Sequence, residues 1–230
     1  MTRTLILGGT TEASSLARAL ADRGDDALFS YAGRTAAPVA QPLPTRVGGF
    51  GGVAGLLAFI AQNHITRVID ATHPFAAQMS RNAHAASTQA GILLAAFERA
   101  PWSETAADNW THLPSIEAAA AALPQVSTRV FLAIGKQALS VFANHPQHHY
   151  LLRLVDQPAA PLPLPHTTVT LARGPFDLAG DIALLRDHGT KRELGLRVLM
   201  IQRPAVPPRT TFAQLDDILA WLDHSADRGV

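Results

Sequence analysis

Short apolar runs alternate with helix-length amphipathic segments along this chain. In the first hundred residues the apolar runs predict strands over Thr4–Gly8, Ala27–Tyr31, Thr45–Gly48, Arg67–Asp70 and Ile92–Phe97. The segments between them predict helices over Thr11–Arg23, Gly52–Asn63 and Phe75–Ala90. The first helix has one apolar face, formed by Ala13, Leu16, Ala17 and Leu20. Strands that are apolar on both faces and separated by helices are typical of a parallel sheet.

The alternation stops at residues 100–112, where a polar stretch follows Pro101 and Trp102, and then resumes. The second half predicts strands over Arg129–Ile134, His149–Val155, Thr168–Ala172 and Arg197–Ile201. It predicts helices over Ser115–Leu123, Gln137–Ala143, Pro175–His188 and Thr211–Leu222. We therefore predict an α/β protein with two similar domains: residues 1–100, which bind a cofactor, and residues 101–230.

One place breaks the second alternation. A predicted helix ends at Gly189, and Lys191–Leu194 resembles the tail of another helix that leads into the next strand. A strand and most of a helix are missing between Thr190 and Lys191. The pattern fits a shortened loop or residues absent from the numbered chain.

Composition narrows the classes of function. A hydrophobic content of 47 % against 16 % charged residues allows a sizeable core, and the net charge of +1 gives no sign of a nucleic-acid surface. The absence of cysteine excludes disulfides, thiolate nucleophiles and cysteine-based metal sites. The histidines are scattered without metal-ligand spacing, and no apolar run reaches the length of a membrane span. We expect a cytoplasmic protein without a metal ion, a membrane or a nucleic acid as partner.

The turn after the first strand is the first candidate site. It comprises Gly8, Gly9, Thr10, Thr11 and Glu12. A strand, a glycine turn and a helix N-terminus present free backbone N–H groups and the positive end of a helix dipole, which suit a phosphate. The full G-x-G-x-x-G spacing is absent, so a plain strand-to-helix turn capped by threonine stays an alternative.

The end of the second strand bears on the choice of cofactor. An NAD site usually has an acidic residue there, but this strand ends in Ser30, Tyr31, Ala32, Gly33 and Arg34. A guanidinium at Arg34 could pair with the 2′-phosphate of NADP(H), so NADPH is favoured over NADH. An ordinary surface arginine is the alternative.

Two further loops follow strands of the first half. Four glycines, including Gly49, lie in Gly48–Gly52 and favour a cofactor or substrate loop over a mere turn. Asp70, Thr72 and His73 follow the fourth strand, at the edge where parallel sheets bind ligands. His73 could donate a proton or a hydrogen bond, while a capping threonine and a structural histidine are the alternative.

Cations follow the strands of the second half. Lys136, Arg153, Arg173 and Arg203 lie at or near predicted strand ends. Together they would suit a ligand with several carboxylates, although each alone is more often a solvated surface residue.

Taken in order, these segments resemble the precorrin-6A reductase family of cobalamin biosynthesis. The resemblance rests on Gly8-Gly9-Thr10-x-Glu12, Tyr31-x-Gly33-Arg34, Gly48-Gly49-Phe50-Gly51, Asp70-Ala71-Thr72-His73-Pro74-Phe75-Ala76, Gly135-Lys136-Gln137 and Gln202-Arg203-Pro204. It covers nearly the whole chain, and the block that begins at Asp70 is its most specific part.

The resemblance implies two Rossmann-like parallel-sheet domains with the active site in the cleft between them and a strand exchanged between the sheets. It implies NADPH-dependent reduction of one double bond in precorrin-6A, a tetrapyrrole with acetate and propionate groups, to give precorrin-6B. Gly9, Thr10, Glu12 and Arg34 would face the cofactor, and Thr72, His73, Lys136 and Arg153 would line the macrocycle site. The family has a Lys-Asn-x-Gly-Gly-like segment after the position of Thr190, and this chain departs from it there.

Two other functions stay open. A different α/β enzyme, such as a nucleotide-sugar or methyl-group transferase, could use the same turn, and so could a non-catalytic nucleotide sensor. The resemblance implies a small-molecule precorrin as the main partner, with other enzymes of the corrin pathway as further candidates.

Overall fold

The computed structural model of the chain divides it into two compact units. Its described residues are 2–33, 38–158, 160–172, 174, 176–189 and 196–226. Unit 1 comprises Met1–Trp102 together with Pro204–Val230, and unit 2 comprises Ser103–Arg203. The sequence predicted residues 101–230 as one domain, and the structure differs because the last segment of the chain packs on unit 1.

Unit 1 is built on a six-stranded parallel sheet. Its strands are β1 (Thr4–Leu7), β2 (Ala27–Tyr31), β3 (Thr45–Val47), β4 (Arg67–Asp70), β5 (Leu93–Phe97) and β11 (Thr210–Phe212). They are ordered β11-β5-β4-β1-β2-β3, which contains the 3-2-1-4-5 order of dinucleotide-binding folds. The predicted parallel α/β architecture is confirmed.

Helices cover both faces of this sheet. They are α1 (Thr11–Asp22), α2 (Val53–Gln62), α3 (Ala77–Ala90) and α6 (Leu215–Ala226). Successive residues of β1 point to opposite faces, so Ile6 joins a core with α1 and α6 while Leu5 and Leu7 join a second core with α2 and α3. Burial on both faces explains why the strands are continuous apolar runs.

Unit 2 contains two smaller parallel sheets within the described residues. One has β7 (Arg129–Leu132), β8 (His149–Leu154) and β9 (Thr167–Leu171), and the other pairs β6 (Trp110–Leu113) with β10 (Val198–Ile201). The helices are α4 (Ile116–Ala121) and α5 (Leu178–Asp187), and a 3-10 helix spans Lys136–Asn144. Tyr150 and Leu152 of β8 lie at the centre of the core of this unit.

Three elements differ from the prediction. Trp110–Leu113 forms β6 at the end of the stretch 100–112, where the pattern predicted a break. Thr210–Phe212 forms β11, although the sequence predicted a helix from Thr211. Lys136–Asn144 is a 3-10 helix where the pattern predicted an α-helix. β6 lies at the end of a polar stretch and β11 leads almost directly into α6, so the sequence pattern marks neither strand and only the tertiary pairing identifies them.

The strand after unit 2 returns to the sheet of unit 1. β11 lies parallel to β5, with Thr210 opposite Ala95 and Phe212 opposite Phe97. The chain thus returns at β11 to the sheet of unit 1, and the exchange of a strand between the sheets that the resemblance implies stays a prediction. None of the helices in the described ranges combines the length and the apolar character that crossing a membrane requires.

Candidate nucleotide site and cation cluster

The carboxyl edge of the unit 1 sheet is the candidate nucleotide site. β1 pairs with β2 on one side and with β4 on the other, so the chain reverses its direction of winding at β1. Open α/β sheets bind ligands beyond the carboxyl ends of the strands at such a switch point. The turn between β1 and α1 and the loop after β4 both lie there.

The glycine turn has the backbone that its residues predict. Gly9 has φ +127°, a conformation that residues with a side chain rarely adopt. A Cβ at Gly8 would lie 2.1 Å from the ring of Phe29 in β2, so the turn approaches the second strand closely. Both glycines are therefore required by the geometry of the turn, whatever it binds.

Thr10 fixes this turn at both ends. Its hydroxyl accepts a hydrogen bond from the Ala13 amide at 3.1 Å and caps α1, and it donates to the Ala71 carbonyl at 2.8 Å. Within the part of the chain that the structure describes, the amides of Gly9, Thr10, Thr11 and Glu12 have no hydrogen-bond acceptor. Free amides at a helix N-terminus are the donors that bind a phosphate.

Glu12 places a carboxylate in the first turn of α1. One carboxylate oxygen accepts from the Thr11 hydroxyl at 3.2 Å, and the other lies 3.3 Å from Nε of Arg99, which follows β5. A carboxylate there stabilises the helix dipole but opposes a phosphate. The arginine offsets that charge at the rim of the turn.

The loops after β2 and β3 approach each other. A Cβ at Gly33 would lie 3.4 Å from Cα of Gly48, and Arg34, the predicted 2′-phosphate ligand, lies outside the described residues. A small pocket of about 30 Å³ opens between the glycine turn and Gly49. Its lining combines residues of β1, β2, α3 and four loops: Leu7, Gly8, Ser30, Ala32, Gly48, Gly49, Phe50, Thr72 and Met79.

Arg46 orders the glycine-rich loop, and the sequence reasoning missed it. Its guanidinium donates to the Ser30 hydroxyl at 2.8 Å, to the Gly48 carbonyl at 2.8 Å and to the Gly49 carbonyl at 3.2 Å. It also lies 4.0 Å from the ring centroid of Phe50. Burial lowers the pKa of Arg46 from its ordinary value, although the group stays charged. The signal was an arginine beside a glycine run that contains a phenylalanine.

Asp70 is buried, with both carboxylate oxygens bound by protein donors. Oδ1 accepts from the Thr72 amide at 3.2 Å and from the Thr72 hydroxyl at 2.7 Å. Oδ2 accepts from Arg209 at 2.6 Å. The carboxylate shapes the loop that Thr72 and His73 belong to. Both oxygens are held by protein donors, and the cofactor role that the sequence suggested for Asp70 stays a prediction.

His73 is exposed at the start of this loop. Its Nδ1 accepts a hydrogen bond from the Phe75 amide at 3.3 Å, and its ring lies 5.8 Å from that of Phe75. An Nδ1 that accepts cannot carry a proton, so in this arrangement the ring proton is on Nε2. His73 thus presents a hydrogen-bond donor.

The predicted cations of unit 2 differ in their surroundings. Lys136 is exposed at the start of the 3-10 helix after β7, and Arg203 is half-buried after β10. Arg153 of β8 pairs with Asp181, and its guanidinium lies 3.7 Å from the ring centroid of Phe176 and 5.2 Å from that of Phe131. Arg173 lies outside the described residues. The carboxyl ends of β7 and β8 share one edge of their sheet, which brings Lys136 and Arg153 to that edge.

Two other observations bear on the choice of site. A larger pocket of about 410 Å³ lies at the amino ends of β4 and β5, lined mainly by apolar residues of α2 and the following loops, and lacks converging charged groups. Among the described residues no group of three or more histidine and acidic side chains is arranged to hold a metal ion.

Comparisons with known proteins identify the family. The family model for precorrin-6x reductase, CbiJ/CobK, matches residues 3–192. The chain is 58 % identical to the precorrin-6A reductase of Rhodobacter capsulatus over an aligned length of 251 residues that covers all of both proteins. It is 41 % identical to that of Rhodococcus erythropolis, with 96 % of this chain and 98 % of the relative covered.

A solved structure agrees with these relatives. The structure described as CobK precorrin-6A reductase superposes with a TM-score of 0.93 at 57 % identity, covering 100 % of this chain and 98 % of the other. The aligned length of 251 residues exceeds the 230 residues of this chain, so the alignment contains gaps in this chain, and the irregularity after Thr190 stays a prediction. The chain therefore belongs to the precorrin-6x reductase family, CbiJ/CobK.

Proposed function

We propose that this chain reduces precorrin-6A to precorrin-6B with NADPH as the hydride donor. Membership of the family makes the chain an oxidoreductase of cobalamin biosynthesis that reduces a carbon–carbon double bond of precorrin-6A. A nicotinamide cofactor follows from a reductase activity on a dinucleotide-binding fold. The choice of NADPH and the roles of individual residues are the parts that we propose.

The observation that carries the cofactor proposal is the turn between β1 and α1. Its four amides without acceptors, at a capped helix N-terminus on the switch point of the sheet, suit the pyrophosphate of a dinucleotide. Gly8, Gly9, Thr10 and Thr11 would hold that group, and the Glu12–Arg99 pair would border it. Gly33 and Gly49 would border the adenosine half.

Preference for NADPH would come from Arg34. No acidic residue stands at the end of β2, where NAD-binding proteins hold the ribose hydroxyls. A guanidinium two residues after Ala32 would meet the 2′-phosphate with two parallel hydrogen bonds. The loss of such a pair removes the extra affinity for NADPH and leaves the affinity for NADH unchanged.

The substrate would be held by cations. Precorrins carry acetate and propionate groups, which Lys136, Arg153, Arg173 and Arg203 would pair with. Of these, Lys136 is exposed, whereas Arg153 would exchange or share its contact with Asp181. Several such pairs orient a large anion better than any one of them.

The chemical step adds a hydride to one carbon of the double bond and a proton to the other. Bound NADPH supplies the hydride. His73, with its proton on Nε2, would donate a hydrogen bond to the macrocycle, and water would deliver the proton to the second carbon. Thr72, whose hydroxyl donates to Asp70, would orient the part of the macrocycle that His73 contacts.

The decisive experiment follows the loss of NADPH absorbance when purified protein meets precorrin-6A, with NADH as the alternative donor. We expect NADPH to be consumed with formation of precorrin-6B and to be strongly preferred. Arg34→Ala should raise the Kd for NADPH by about tenfold or more and leave that for NADH unchanged. Arg18→Ala, an exposed arginine of α1, is the matched control and should change neither.

The other outcomes separate the alternatives. Binding of S-adenosylmethionine or a sugar nucleotide in place of NADPH would favour a transferase. Binding of NADPH without its consumption in the presence of precorrin-6A would favour a sensor. If Arg34→Ala leaves the Kd for NADPH and the Kd for NADH both unchanged, Arg34 has no role in the choice of cofactor. The reductase assignment is not affected by that result.

A further inference from the structure

Arg209 is a buried cation that connects the returning segment to the candidate site. It lies immediately before β11, and its side chain is only 6 % exposed. Nη1 donates to Oδ2 of Asp70 at 2.6 Å, and Nη2 donates to Oε2 of Glu98 at 3.3 Å. The guanidinium therefore joins the carboxyl ends of β4 and β5 from the neighbouring strand.

The second carboxylate oxygen of Asp70, Oδ1, binds the loop after β4 in the candidate site. Asp70 is 1 % exposed, and its Oδ1 accepts from both the amide and the hydroxyl of Thr72. The next carbonyl, that of Ala71, accepts from Thr10 in the glycine turn. Arg209 thus contacts Asp70, and Asp70 contacts Thr72. The Ala71 carbonyl beside them joins the loop after β4 to the glycine turn after β1.

We infer that Arg209 is a positioning residue of the reductase, which fixes Thr72 and His73 by orienting the carboxylate of Asp70. The inference rests on the proposed roles of Thr72 and His73. Because this cation comes from the returning segment, the loop after β4 has its final geometry only when the last segment of the chain has joined the sheet.

The surroundings of Arg209 argue against a direct contact with substrate. A guanidinium that is nine-tenths buried and bound to two carboxylates has little surface to offer a ligand. Its fork satisfies Asp70 and Glu98 at once, which the single ammonium of lysine cannot do with the same geometry. Without Arg209 the buried charge of Asp70 would lose its compensation, and its carboxylate would no longer hold Thr72 in one arrangement.

Kinetics of four variants test the inference in the full-length protein. Arg209→Gln should lower kcat by roughly 10- to 100-fold, since small displacements at a reacting centre have effects of this size, with KM for precorrin-6A changed less than about threefold. Arg209→Lys should lose less than Arg209→Gln. The double variant Asp70→Asn/Arg209→Gln should recover part of the lost kcat, because a neutral amide in place of the carboxylate needs no charge partner and can still accept from Thr72. Arg81→Gln is the matched control: Arg81 donates to the Ala205 carbonyl and so contacts the same segment without touching Asp70.

Three results would overturn the inference. They are an unchanged kcat in Arg209→Gln, a loss that Arg81→Gln reproduces, and a rise in KM for precorrin-6A alone, which would make Arg209 a substrate ligand. If Arg209→Gln does not fold, Arg209→Lys carries the same comparison with Arg81→Gln.

Hydrogen exchange of the free protein gives a readout that does not need the reaction. The Thr72 amide donates to Asp70, so its exchange should be slowed in wild type and in Arg81→Gln and accelerated in Arg209→Gln and Arg209→Lys. Unchanged exchange at Thr72 would overturn the inference. If wild type fails to consume NADPH while exchange changes as expected, the proposed function is at fault and the positioning role of Arg209 stands.

Discussion

Single side chains decide what the loop after β4 can do, and His73 is an exposed one among them. The hydrogen bond from the Phe75 amide to Nδ1 selects the tautomer with the proton on Nε2. A histidine held in that way is suited to donate a hydrogen bond from Nε2. Its contribution should therefore appear in turnover and not in the binding of the cofactor.

Replacement of His73 by alanine should lower kcat by roughly 100-fold, the usual effect of removing one positioned hydrogen-bond donor from a reacting centre. The Kd for NADPH should stay within about twofold, since the glycine turn is unchanged. Steady-state turnover and NADPH fluorescence titration measure the two quantities. His84→Ala, on the neighbouring helix α3, serves as the control, and unchanged turnover in His73→Ala would remove His73 from the mechanism.

A second histidine, His148 in unit 2, is buried and bears on stability. Its Nδ1 accepts from the Thr128 amide at 3.3 Å, and its Nε2 has no hydrogen-bond partner among the described residues. Burial, and to a lesser degree the neighbouring His145, lowers the pKa of His148 from its ordinary value of 6.5. Protonation of Nδ1 would also replace its hydrogen bond with the Thr128 amide by two opposed N–H groups.

Unit 2 should therefore lose stability in acid. The unfolded chain binds a proton at His148 more readily than the folded chain, so the stability is present above about pH 6.5 and is lost as the pH falls toward the lowered pKa. In wild type the unfolding free energy of unit 2, measured by hydrogen exchange, should be lower at about pH 5 than at about pH 8. His148→Asn should flatten this dependence, and the exposed neighbour His149→Asn should keep it.

At the scale of elements, one capping residue serves both a helix and the candidate site. Thr10 caps α1, and Ser115 caps α4 in the same way, with each side chain accepting from an amide three residues on. Only Thr10 also bonds to the loop after β4. A comparison of substitutions at Thr10 and Ser115 therefore distinguishes an effect on helix stability from an effect on the geometry of the site.

Thr10→Val and Ser115→Ala should each lower the unfolding free energy by about 1 kcal/mol, the usual effect of losing a helix cap. Only Thr10→Val should also weaken NADPH binding, by several-fold, because the link to Ala71 is lost with the hydroxyl. Denaturant unfolding and NADPH titration measure the two effects. Thr10→Ser should restore both, and equal NADPH affinity in wild type and Thr10→Val would contradict a role of this turn in binding.

Strands that alternate with helices along the chain were predictable from the sequence, and two strands outside that alternation were not. The bounds of β2 and β4 agree with the prediction to the residue, because continuous apolar runs between helices mark buried parallel strands. β6 lies at the end of a polar stretch and β11 leads almost directly into α6, so only their pairing with β10 and β5 identifies them. The candidate site shows the same division: its glycine turn follows from local spacing, whereas the contact of Arg209 with Asp70 spans 139 positions of sequence and needs the fold.

At the scale of the whole molecule, the two units are interleaved in sequence. Residues 204–230 leave unit 2 and complete unit 1 with β11 and α6. Ile218 and Leu222 of α6 are fully buried in the core that α1 forms on the sheet. Arg67 of β4 adds a buried link, since its Nη1 donates to the Leu222 carbonyl at 2.6 Å. The N-terminal unit cannot reach its full core until the C-terminus of the chain is present.

A cavity near the C-terminus should therefore weaken the N-terminal unit. Ile218→Ala removes a side chain with no exposed surface and should cost about 2–5 kcal/mol of the stability of unit 1. Leu152→Ala, equally buried in β8, is the matched change in unit 2. Hydrogen exchange resolved by peptide should show faster exchange in β1 and β4 for Ile218→Ala and in β8 for Leu152→Ala, with NADPH affinity reduced only in the former. If Ile218→Ala accelerated exchange in β8 and spared β1, residues 204–230 would belong to the stability of unit 2, and the division of the chain into these units would not hold in solution.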